Sequence, residues 1–552
     1  MENRKIEVDI TGMTCRHCAV SIESLLKNKE GITIASVNHE SGKGEITFDG
    51  QMTTDEDIIS TINSTKKYQA RGTSSVLNAP AEPTFYDLII IGGGSSAFSA
   101  AITAHELGLS ILMVNAGLAF GGTCVNVGCV PSKFLIRAGE TAYHASHSNF
   151  EGISPYGASI DFAKVIQEKT EMVSRMQQKK YMDIVKDFDN FRMVEGWAEF
   201  LDTKTIIVNG ETKYSALKFI IATGATTNIP NIEGLREVGY LTNVTLFDLE
   251  EKPESLTIMG AGYIGLEIAM AYSRLGVKVR IIEFTDRVLR SQAPDISQEL
   301  QKQMHLEGIA VLPNVRAQKF EKQGSSTLIH CKDPDGKEIT LVEPGHIVVS
   351  TGIRPNISKL GLDRIGLETT KNGHIAVNEL METNVANIYA VGDVINTPAY
   401  VYTAAAEGKM AVENAFKGAG SKTDYSSLPW VVFTDPQVAG VGLDEVEAAA
   451  LGLPFEVSKM PLTEVPRSQA AKDTRGFIKL IRNKETDTLI GARVVAPEGG
   501  ELIMELTLAV KYGITVNDLA KTFHPYLTLS EGIKLAAIAF GKDIATLSCC
   551  AS

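Results

Sequence analysis

The chain has 552 residues, of which 44% are hydrophobic, and its 66 acidic and 53 basic side chains leave a formal net charge of -13 at pH 7. This length predicts several globular domains. The acidic balance argues against nucleic acid and anionic membrane surfaces as partners, and no apolar run has the length of a membrane span or the pattern of a secretory signal.

Cysteine usage is the next informative feature. Close pairs indicate metal or redox chemistry more than a structural disulfide framework, so we expect a cytoplasmic protein with reactive thiols. Six of the seven cysteines form such pairs, namely Cys15/Cys18, Cys124/Cys129 and Cys549/Cys550. The seventh, Cys331, lies in a strand-like stretch where packing is the expected role.

The first 70 residues predict a small ferredoxin-like domain. Residues 6–10, 33–38 and 44–48 have the pattern of strands, and amphipathic segments follow the first and the third, which gives a βαββα order with a closing strand near Tyr68. Cys15 and Cys18 lie at a strand-to-helix junction, where backbone N–H groups lower thiol pKa values and favour soft cations.

The stretch Gly12-Met-Thr-Cys15-Arg-His-Cys18 resembles the heavy-metal-associated domain. This resemblance implies that the two cysteines bind a soft metal ion and pass it on. A thioredoxin-type redox pair is the alternative, but the surrounding order lacks the βαβ context of that motif. Residues 71–84 are rich in Gly, Ser and Pro without periodicity, and we expect a flexible tether there.

Two later segments each predict a strand, a glycine-rich turn and a helix, the arrangement that brings a pyrophosphate to backbone amides. The first contains Gly92, Gly94 and Ala97, and the second contains Gly260, Gly262 and Gly265. At the same offset from each turn, where an acid would hold a ribose 2′-hydroxyl, stand Asn115 and Glu283. The repeat predicts two dinucleotide-binding units.

A glycine-rich stretch from Gly121 to Lys133 places Cys124 and Cys129 five positions apart. An ideal helix would not stack two side chains at that spacing, so the local backbone must adjust, and Gly121, Gly122 and Gly128 allow this. Taken alone, the spacing leaves packing thiols and a redox pair as alternatives.

With the further motifs Thr223-Gly224, Ser350-Thr-Gly352 and Gly392-Asp393, residues 85–552 resemble the pyridine nucleotide–disulfide oxidoreductase family. The resemblance implies two Rossmann-like domains and an α+β dimerisation domain, in a homodimer. The expected segments are a metal-binding domain (1–70), tether (71–84), FAD-binding domain (85–235 and 352–425), NAD(P)H-binding domain (236–351) and dimerisation domain (426–552). The residues expected near FAD are Gly92, Gly94, Ala97, Asn115, Gly122, Thr123, Lys133, Thr223, Gly224, Gly392 and Asp393, and those expected near NAD(P)H are Gly260, Gly262, Gly265, Glu283, Arg287 and Gly352.

The resemblance also implies roles at the dithiol. Cys129 would lie against the flavin, Cys124 would face the substrate, and Lys133 would pair with Glu267 near the flavin. A surface lysine and a solvated glutamate are the alternative for the last two.

The C-terminal residues indicate the substrate. Disulfide-reducing members of the family carry a glutamate five residues after a His-Pro histidine, whereas here His524 and Glu531 are seven apart and Tyr526 follows the proline. Resemblance to the metal-reducing members of the family implies that Tyr526 lines a metal site. Tyr181 is a candidate for a second such tyrosine, with a surface position as an equal alternative. As soft ligands, Cys549 and Cys550 would capture Hg(II) from thiolate complexes and deliver it to another dithiol, and the same resemblance implies that this occurs at an active site shared between subunits. A regulatory disulfide is the alternative.

The predicted reaction is therefore reduction of Hg(II), the substrate, to Hg(0) by NADPH through FAD and the dithiol. NADH is the alternative donor, because Glu283 would repel a 2′-phosphate unless Arg287 and Arg290 oppose it. A dihydrolipoamide- or glutathione-type disulfide reductase with an accessory metal domain, and a metal-trafficking or metal-sensing flavoprotein, are the alternative functions.

Overall fold

The computed structural model describes residues 3–13, 16–27, 29–39, 41–65, 67–76 and 84–543. Packing divides the chain into a front unit, residues 1–85, and a large unit, residues 86–552. The predicted metal ligands Cys15, Cys549 and Cys550 lie outside the described residues.

The front unit has the predicted ferredoxin-like order. Its elements are β1 (Asn3–Thr11), α1 (Arg16–Lys27), β2 (Ile32–Asn38), β3 (Lys43–Asp49), α2 (Asp55–Asn63) and β4 (Gln69–Val76). The antiparallel sheet has the order β2-β3-β1-β4. Alternate residues of β1, among them Ile6 and Val8, are buried against Ile22 and Leu26 of α1, as expected for a sheet covered on one face.

The predicted start of the tether at residue 71 was wrong. Strand β4 continues to Val76 and pairs antiparallel with β1 from Thr11 opposite Gln69 to Lys5 opposite Val76. The backbone groups along that edge of β1 are satisfied by this pairing, which outweighs the weak strand preference of Gly and Ser in β4.

The large unit begins with the first dinucleotide-binding region. Its elements are β5 (Phe85–Ile91), α3 (Ser95–Glu106), β6 (Ile111–Asn115), α4 (Gly122–Val127), α5 (Cys129–Ser146), α6 (Phe162–Gln177), a π-helix (Gln178–Met182), α7 (Asp183–Val185), β7 (Phe191–Glu195), β8 (Ala198–Asp202), β9 (Thr205–Val208) and β10 (Thr212–Ile221).

The second region follows without a break. Its elements are β11 (Ala225–Thr227), α8 (Leu235–Val238), α9 (Asn243–Leu246), β12 (Ser255–Met259), α10 (Tyr263–Arg274), β13 (Lys278–Ile282), α11 (Pro294–Leu306), β14 (Ala310–Leu312), β15 (Arg316–Gln323), β16 (Ser326–Lys332), β17 (Glu338–Glu343), β18 (His346–Val349) and β19 (Ile353–Pro355). Cys331 is buried in β16, consistent with the expected packing role.

The remaining elements return to the first region and then form the C-terminal region. They are 3₁₀ turns (Leu362–Ile365, Gly392–Val394 and Leu462–Glu464), β20 (Ile388–Ala390), α12 (Val401–Lys417), β21 (Trp430–Val432), β22 (Gln437–Gly442), α13 (Glu445–Ala450), β23 (Phe455–Pro461), α14 (Pro466–Ala470), β24 (Phe477–Asn483), β25 (Leu489–Ala496), α15 (Gly499–Lys511), α16 (Val516–Lys521) and α17 (Glu531–Ile538).

Three sheets organise the large unit. The first has the order β7-β6-β5-β10-β9-β8 with β20 beside β10, the second is the parallel sheet β14-β13-β12-β18, and the third is the antiparallel sheet β21-β22-β25-β24-β23. The pair β11-β19 and the sheet β15-β16-β17 complete the strands of the described ranges. The predicted fold of two Rossmann-like domains and an α+β C-terminal domain is confirmed.

The parallel strands β5 and β6 end at the same sheet edge, so the turn at Gly92 and the side chain of Asn115 meet there. The candidate site is built along this edge. Within the described ranges, none of the helices combines the length and apolar character that a membrane crossing needs.

Candidate active site

Cys124 and Cys129 belong to two consecutive helices. Cys124 lies in α4 and Cys129 is the first residue of α5, with Gly128 between them at φ -127° and ψ -112°. A Cβ at Gly128 would stand 2.9 Å from the Thr123 carbonyl oxygen, so the break requires glycine. The break brings the two free thiols into hydrogen-bond contact, and the predicted backbone adjustment therefore takes place.

The two thiols differ in acidity. The hydrogen bond from Cys124 lowers the pKa of Cys129 to about 7, against the effect of burial, and the charge of Lys133 lowers it further. The same hydrogen bond, together with burial, raises the pKa of Cys124. At neutral pH the first proton of the pair therefore leaves from Cys129, which is the thiolate that can bind a metal ion or attack a substrate.

Lys133 and Glu267 form the predicted ion pair. Lys133 Nζ lies 2.7 Å from Glu267 Oε2, and the Glu267 side chain is only 8% exposed. Phe433 holds both groups, since its backbone N–H donates to Glu267 Oε1 at 3.0 Å and its ring centroid lies 4.4 Å from Lys133 Nζ. The alternative of a solvated glutamate is wrong, and no motif identified Phe433 beforehand.

Tyr181 lies beside the dithiol in the π-helix that follows α6. Its ring packs on the backbone of Gly121, where an added Cβ would lie 3.5 Å from Tyr181 Cδ2, and edge-on to Phe98 with centroids 5.0 Å apart. Its hydroxyl is hydrogen bonded to Ser95 Oγ at 3.1 Å. Burial raises the pKa of Tyr181, and negative charge on Cys124 adds to that effect. The alternative of a surface tyrosine is wrong.

The two glycine-rich turns have the same construction. Gly92 has φ +130° and Gly260 has φ +102°, conformations that favour glycine. A Cβ at Gly92 would overlap the Ala222 carbonyl group, and one at Gly260 would lie 2.6 Å from the Ser350 oxygen. Both turns therefore pass close to a neighbouring strand before α3 and α10 begin.

The residues at the acid position differ between the two units. Asn115 donates from Nδ2 to the Leu118 carbonyl at 2.7 Å. Glu283 is buried and already accepts hydrogen bonds from the backbone N–H groups of Ala261 at 2.7 Å and Thr285 at 2.8 Å. Its charge is thus fixed in place at the end of β13.

Residues 86–408 match the family described as pyridine nucleotide-disulphide oxidoreductase, and residues 428–537 match its dimerisation domain. The chain belongs to the pyridine nucleotide-disulphide oxidoreductase family. Residues 7–68 match the heavy-metal-associated domain, as the motif at Cys15 and Cys18 predicted.

Relatives within the family match along almost the whole chain. The chain is 39% identical to mercuric reductase of Lysinibacillus sphaericus, over 99% of this chain and 100% of that protein. It is 38% identical to mercuric reductase of Staphylococcus aureus, over 100% of both chains. Among solved structures, HOCl-induced flavoprotein disulfide reductase RclA from Escherichia coli aligns with a TM-score of 0.72 and 26% identity, over 81% of this chain and 98% of that one.

The family implies FAD and NAD(P)H, and the described residues fit both. On the FAD side, Thr403 Oγ1 of α12 is buried without a hydrogen-bond partner in the described part of the chain. Burial and the charge of Glu407 raise the pKa of Asp393, whose neighbour Gly392 donates its N–H to Glu407 at 2.7 Å. The buried hydroxyl of Thr403 and the carboxyl of Asp393 fit a ligand that carries hydroxyls and phosphates.

Backbone at the second turn is open toward a ligand. A Cβ added at Gly262 or Gly352 would meet no atom within 4 Å, so the start of α10 and the loop after β18 leave space for a nucleotide. Arg287 pairs with Asp286 at 2.8 Å, and Arg290 pairs with the same carboxylate at 2.7 Å. Asp286 therefore offsets part of the positive charge that we expected to oppose Glu283.

The loops predicted to complete the cofactor sites are tied to each other. Thr223 donates from Oγ1 to the Asn356 carbonyl at 2.8 Å, and Asn356 N–H donates to Gly224 at 3.0 Å. Gly122 approaches Gly94 so closely that a Cβ there would lie 2.6 Å from the Gly94 Cα. Thr123, which follows Gly122, is exposed. Ala97 is buried in α3, and Gly265 is buried in α10.

In the C-terminal region, His524 and Glu531 contact different partners. Tyr526 is 55% exposed in the loop between α16 and α17. Glu531 does not serve His524 but accepts the Leu527 N–H at 3.2 Å, while His524 Nε2 lies 2.7 Å from Glu505 Oε1. Glu505, on α15, had no motif around it that would have identified it from the sequence.

In the front unit, Cys18 lies in the first turn of α1 and is buried. Hydrogen bonding to this thiol raises the pKa of Tyr68, the residue just before β4. Within the described residues, no group of three or more His, Cys, Asp or Glu side chains is arranged to hold a metal ion.

Proposed function

We propose that this protein is a mercuric reductase, which reduces Hg(II) to Hg(0) with electrons from NADPH. The observation that carries the proposal is the Cys124/Cys129 dithiol, packed beside the first dinucleotide turn in a chain 39% identical over nearly its full length to a protein named mercuric reductase. In the overall reaction NADPH and Hg(II) give NADP⁺, Hg(0) and one proton.

The dithiol binds the metal ion in this proposal. The family resemblance assigns the substrate-facing role to Cys124, but Cys129 is the thiol that is already a thiolate near neutral pH. In this proposal Cys129 therefore forms the first sulfur–mercury bond, as one thiolate leaves the incoming complex. Cys124 loses its proton as it forms the second bond and the other thiolate leaves, so that two bonds form and two break. FAD, when bound, carries two electrons from the nicotinamide to this site. Lys133, held by Glu267, places a positive charge beside the thiolate.

Further residues complete the route of the metal. Tyr181 lies against Gly121 and lines the dithiol in the proposed site, and Tyr526 supplies a second hydroxyl from the other subunit of a homodimer. Cys15 and Cys18, and Cys549 and Cys550, serve as soft ligands that deliver Hg(II) by exchange. We place this thiol chemistry in the cytoplasm, where cysteines stay reduced.

NADPH is the proposed donor and NADH the alternative. Glu283 keeps a fixed negative charge where a 2′-phosphate would lie, and Asp286 pairs with both nearby arginines. A comparison of kcat/KM for the two nucleotides decides between them, and a strong preference for NADH would exclude the first choice.

The test is oxidation of NADPH that depends on Hg(II), measured with release of volatile mercury. We expect both in the native chain and neither in Cys124→Ala. A Cys549→Ala/Cys550→Ala variant should lose turnover with bulky thiol complexes of mercury and keep it with small ones. Binding of Hg(II) without NADPH oxidation would instead indicate a metal-trafficking role.

One observation favours a second activity, reduction of a disulfide. His524 keeps a carboxylate partner in Glu505, and a histidine paired in this way is able to exchange protons with a thiol. Glutathione disulfide and lipoamide, tested in the same assay in place of Hg(II), should give no NADPH oxidation if the first proposal is right.

A further inference from the structure

The loop of residues 522–530, between α16 and α17, is fixed at its first end by a contact between His524 and Glu505 of α15. The His524 side chain is 4% exposed, with Nε2 2.7 Å from Glu505 Oε1 and Nδ1 3.1 Å from the Thr522 carbonyl oxygen. Both ring nitrogens thus lie within hydrogen-bond distance of an acceptor oxygen. We call the His524–Glu505 contact the loop anchor.

The second end of the loop is fixed by another carboxylate. Glu531, the first residue of α17, is buried and accepts the Leu527 N–H at 3.2 Å. Leu527 has φ +61°, a left-handed conformation that a leucine rarely adopts. Thr528 Oγ1 donates to the Pro525 carbonyl at 2.7 Å. Strain of this kind persists only where surrounding contacts over-determine the backbone.

Tyr526 lies between these two contacts, and the aromatic residue Phe523 stands just before the first of them. Tyr526 is 55% exposed and Phe523 is 97% exposed, although the backbone on either side of Tyr526 is held by hydrogen bonds and next to a strained residue. The arrangement therefore maintains one orientation of Tyr526 at an energetic cost, which is typical of a functional position.

We propose that His524 is a positioning residue, and that the loop anchor holds Tyr526 in the orientation in which it receives Hg(II) in the shared site. The inference rests on the proposed function, because Tyr526 is assigned to the metal site there. Since both nitrogens of His524 are engaged and its ring is buried, it acts through Tyr526 and does not itself transfer a proton to a leaving thiol.

The kinetic test uses Hg(II)-dependent NADPH oxidation with the bis-glutathione complex of Hg(II). We expect His524→Ala to lose about 10- to 100-fold in kcat/KM, mainly through KM, while the rate of flavin reduction by NADPH stays that of the native chain. His524→Gln, whose amide still donates to Glu505, should recover most of the loss. Glu501→Gln, an exposed position one turn earlier on α15, is the control for Glu505→Gln.

A double-mutant cycle separates positioning from direct catalysis. In a Tyr526→Phe background, His524→Ala should add less than about twofold, because the anchor acts through the lost hydroxyl. Effects that multiply fully in the double variant, or a His524→Gln variant as slow as His524→Ala, would overturn the proposal and indicate a proton relay.

Hydrogen exchange of the full chain tests the anchor without mercury. His524→Ala and Glu505→Gln should each speed exchange of residues 522–530 at least about tenfold and leave the ends of α16 and α17 unchanged. Unchanged exchange in both variants would refute the anchor even in an active enzyme. Faster exchange in a chain that fails to reduce Hg(II) would support the anchor and refute the proposed function.

Discussion

A hydrogen bond between two cysteines gives them opposite chemical roles. Cys129 accepts it and its pKa falls to about 7, whereas Cys124 donates it and its pKa rises. The order in which the thiols lose their protons therefore does not depend on the substrate. Under the proposed function, a soft metal ion meets a thiolate first at Cys129, and Cys124 becomes available as the second ligand once the first bond has formed.

Replacing Lys133 tests how far charge contributes to that asymmetry. In reduced protein, Lys133→Gln should raise the pKa of Cys129 by about one unit, because the nearby positive charge is lost while Glu267 stays. In the native chain the thiolate is populated above about pH 7 and is lost as the pH falls below it. The variant should show the same loss at a higher pH. Alkylation rates of Cys129 against pH, assigned by peptide mapping, measure the shift.

Lys213→Gln, an exposed change on β10, is the control for loss of one positive charge. The midpoint of alkylation should not move in that variant. If it does not move in Lys133→Gln either, the hydrogen bond from Cys124 alone sets the acidity of Cys129, and the role given to Lys133 is wrong.

Site residues that belong to a sequence motif could be predicted. Site residues that reach the site only through the tertiary fold could not. Lys133 and Glu267 followed from the family pattern, and their ion pair is present. Phe433, which contacts both members of that pair, lies 166 positions after Glu267 in the chain. Neither periodicity nor motif spacing can predict a contact over that distance. Glu505 was missed for the same reason, since its partner lies beyond the end of its own helix.

At the scale of elements, one glycine divides α4 from α5. We expect Gly128→Ala to destabilise the protein by about 1–3 kcal/mol, because the new methyl would lie 2.9 Å from the Thr123 oxygen and 3.3 Å from the Cys124 Cα. Relief of that contact moves α4 and separates the thiols. Equilibration with glutathione should then show less Cys124–Cys129 disulfide than in the native chain.

Gly152→Ala provides the comparison, because a Cβ there meets no atom within 4 Å. Its thermal unfolding and its disulfide equilibrium should match those of the native chain. A native disulfide equilibrium in Gly128→Ala would mean that the thiols approach each other without the helix break.

The secondary structure of two segments was not predicted from their residue patterns. Residues 71–76 have the composition of a tether, yet they complete a strand because β1 offers a free edge. The run after α6 reads as an ordinary helix, yet it contains a π-helix at Gln178–Met182 that places Tyr181 over Gly121. In both cases the local structure depends on contacts with a neighbouring element. The residues of the segment itself do not show which element that is.

At the scale of the whole molecule, the front unit is a separate compact unit with its own core. Deletion of residues 1–84 should therefore leave the thermal unfolding of the large unit within about 2 °C of its value in the full chain. Under the proposed function, Hg(II) offered on a protein dithiol should be reduced more slowly by the truncated chain, and Hg(II) offered on small thiols should be reduced at the native rate. Equal rates with both donors would remove the delivery role from Cys15 and Cys18.

The large unit is held together by a buried arginine. Arg274 of α10 lies 2.6 Å from Glu307 and 2.8 Å from Asp435, and its guanidinium stands 4.3 Å from the ring centroid of Tyr143 on α5. Its side chain is 3% exposed. These contacts connect both dinucleotide-binding regions with the C-terminal region, and the arginine charge is matched by two carboxylates.

Arg274→Met should cost about 3–5 kcal/mol in the free energy of unfolding, because a buried carboxylate loses its partner. Asp435 keeps Arg475 at 2.8 Å, so Glu307 carries most of the unpaired charge. A buried carboxylate without a partner disfavours folding mainly in its charged form, so this cost falls as the solution becomes more acidic. The deficit relative to the native chain should therefore shrink as the pH falls from 8 to 5.

Arg364→Met breaks an exposed pair with Glu199, 3.0 Å apart, and should cost no more than about 1 kcal/mol at any pH. Denaturant unfolding at both pH values measures all three chains, and a deficit in Arg274→Met that is equally large at pH 5 would show that lost packing, rather than unpaired charge, explains the role of this arginine.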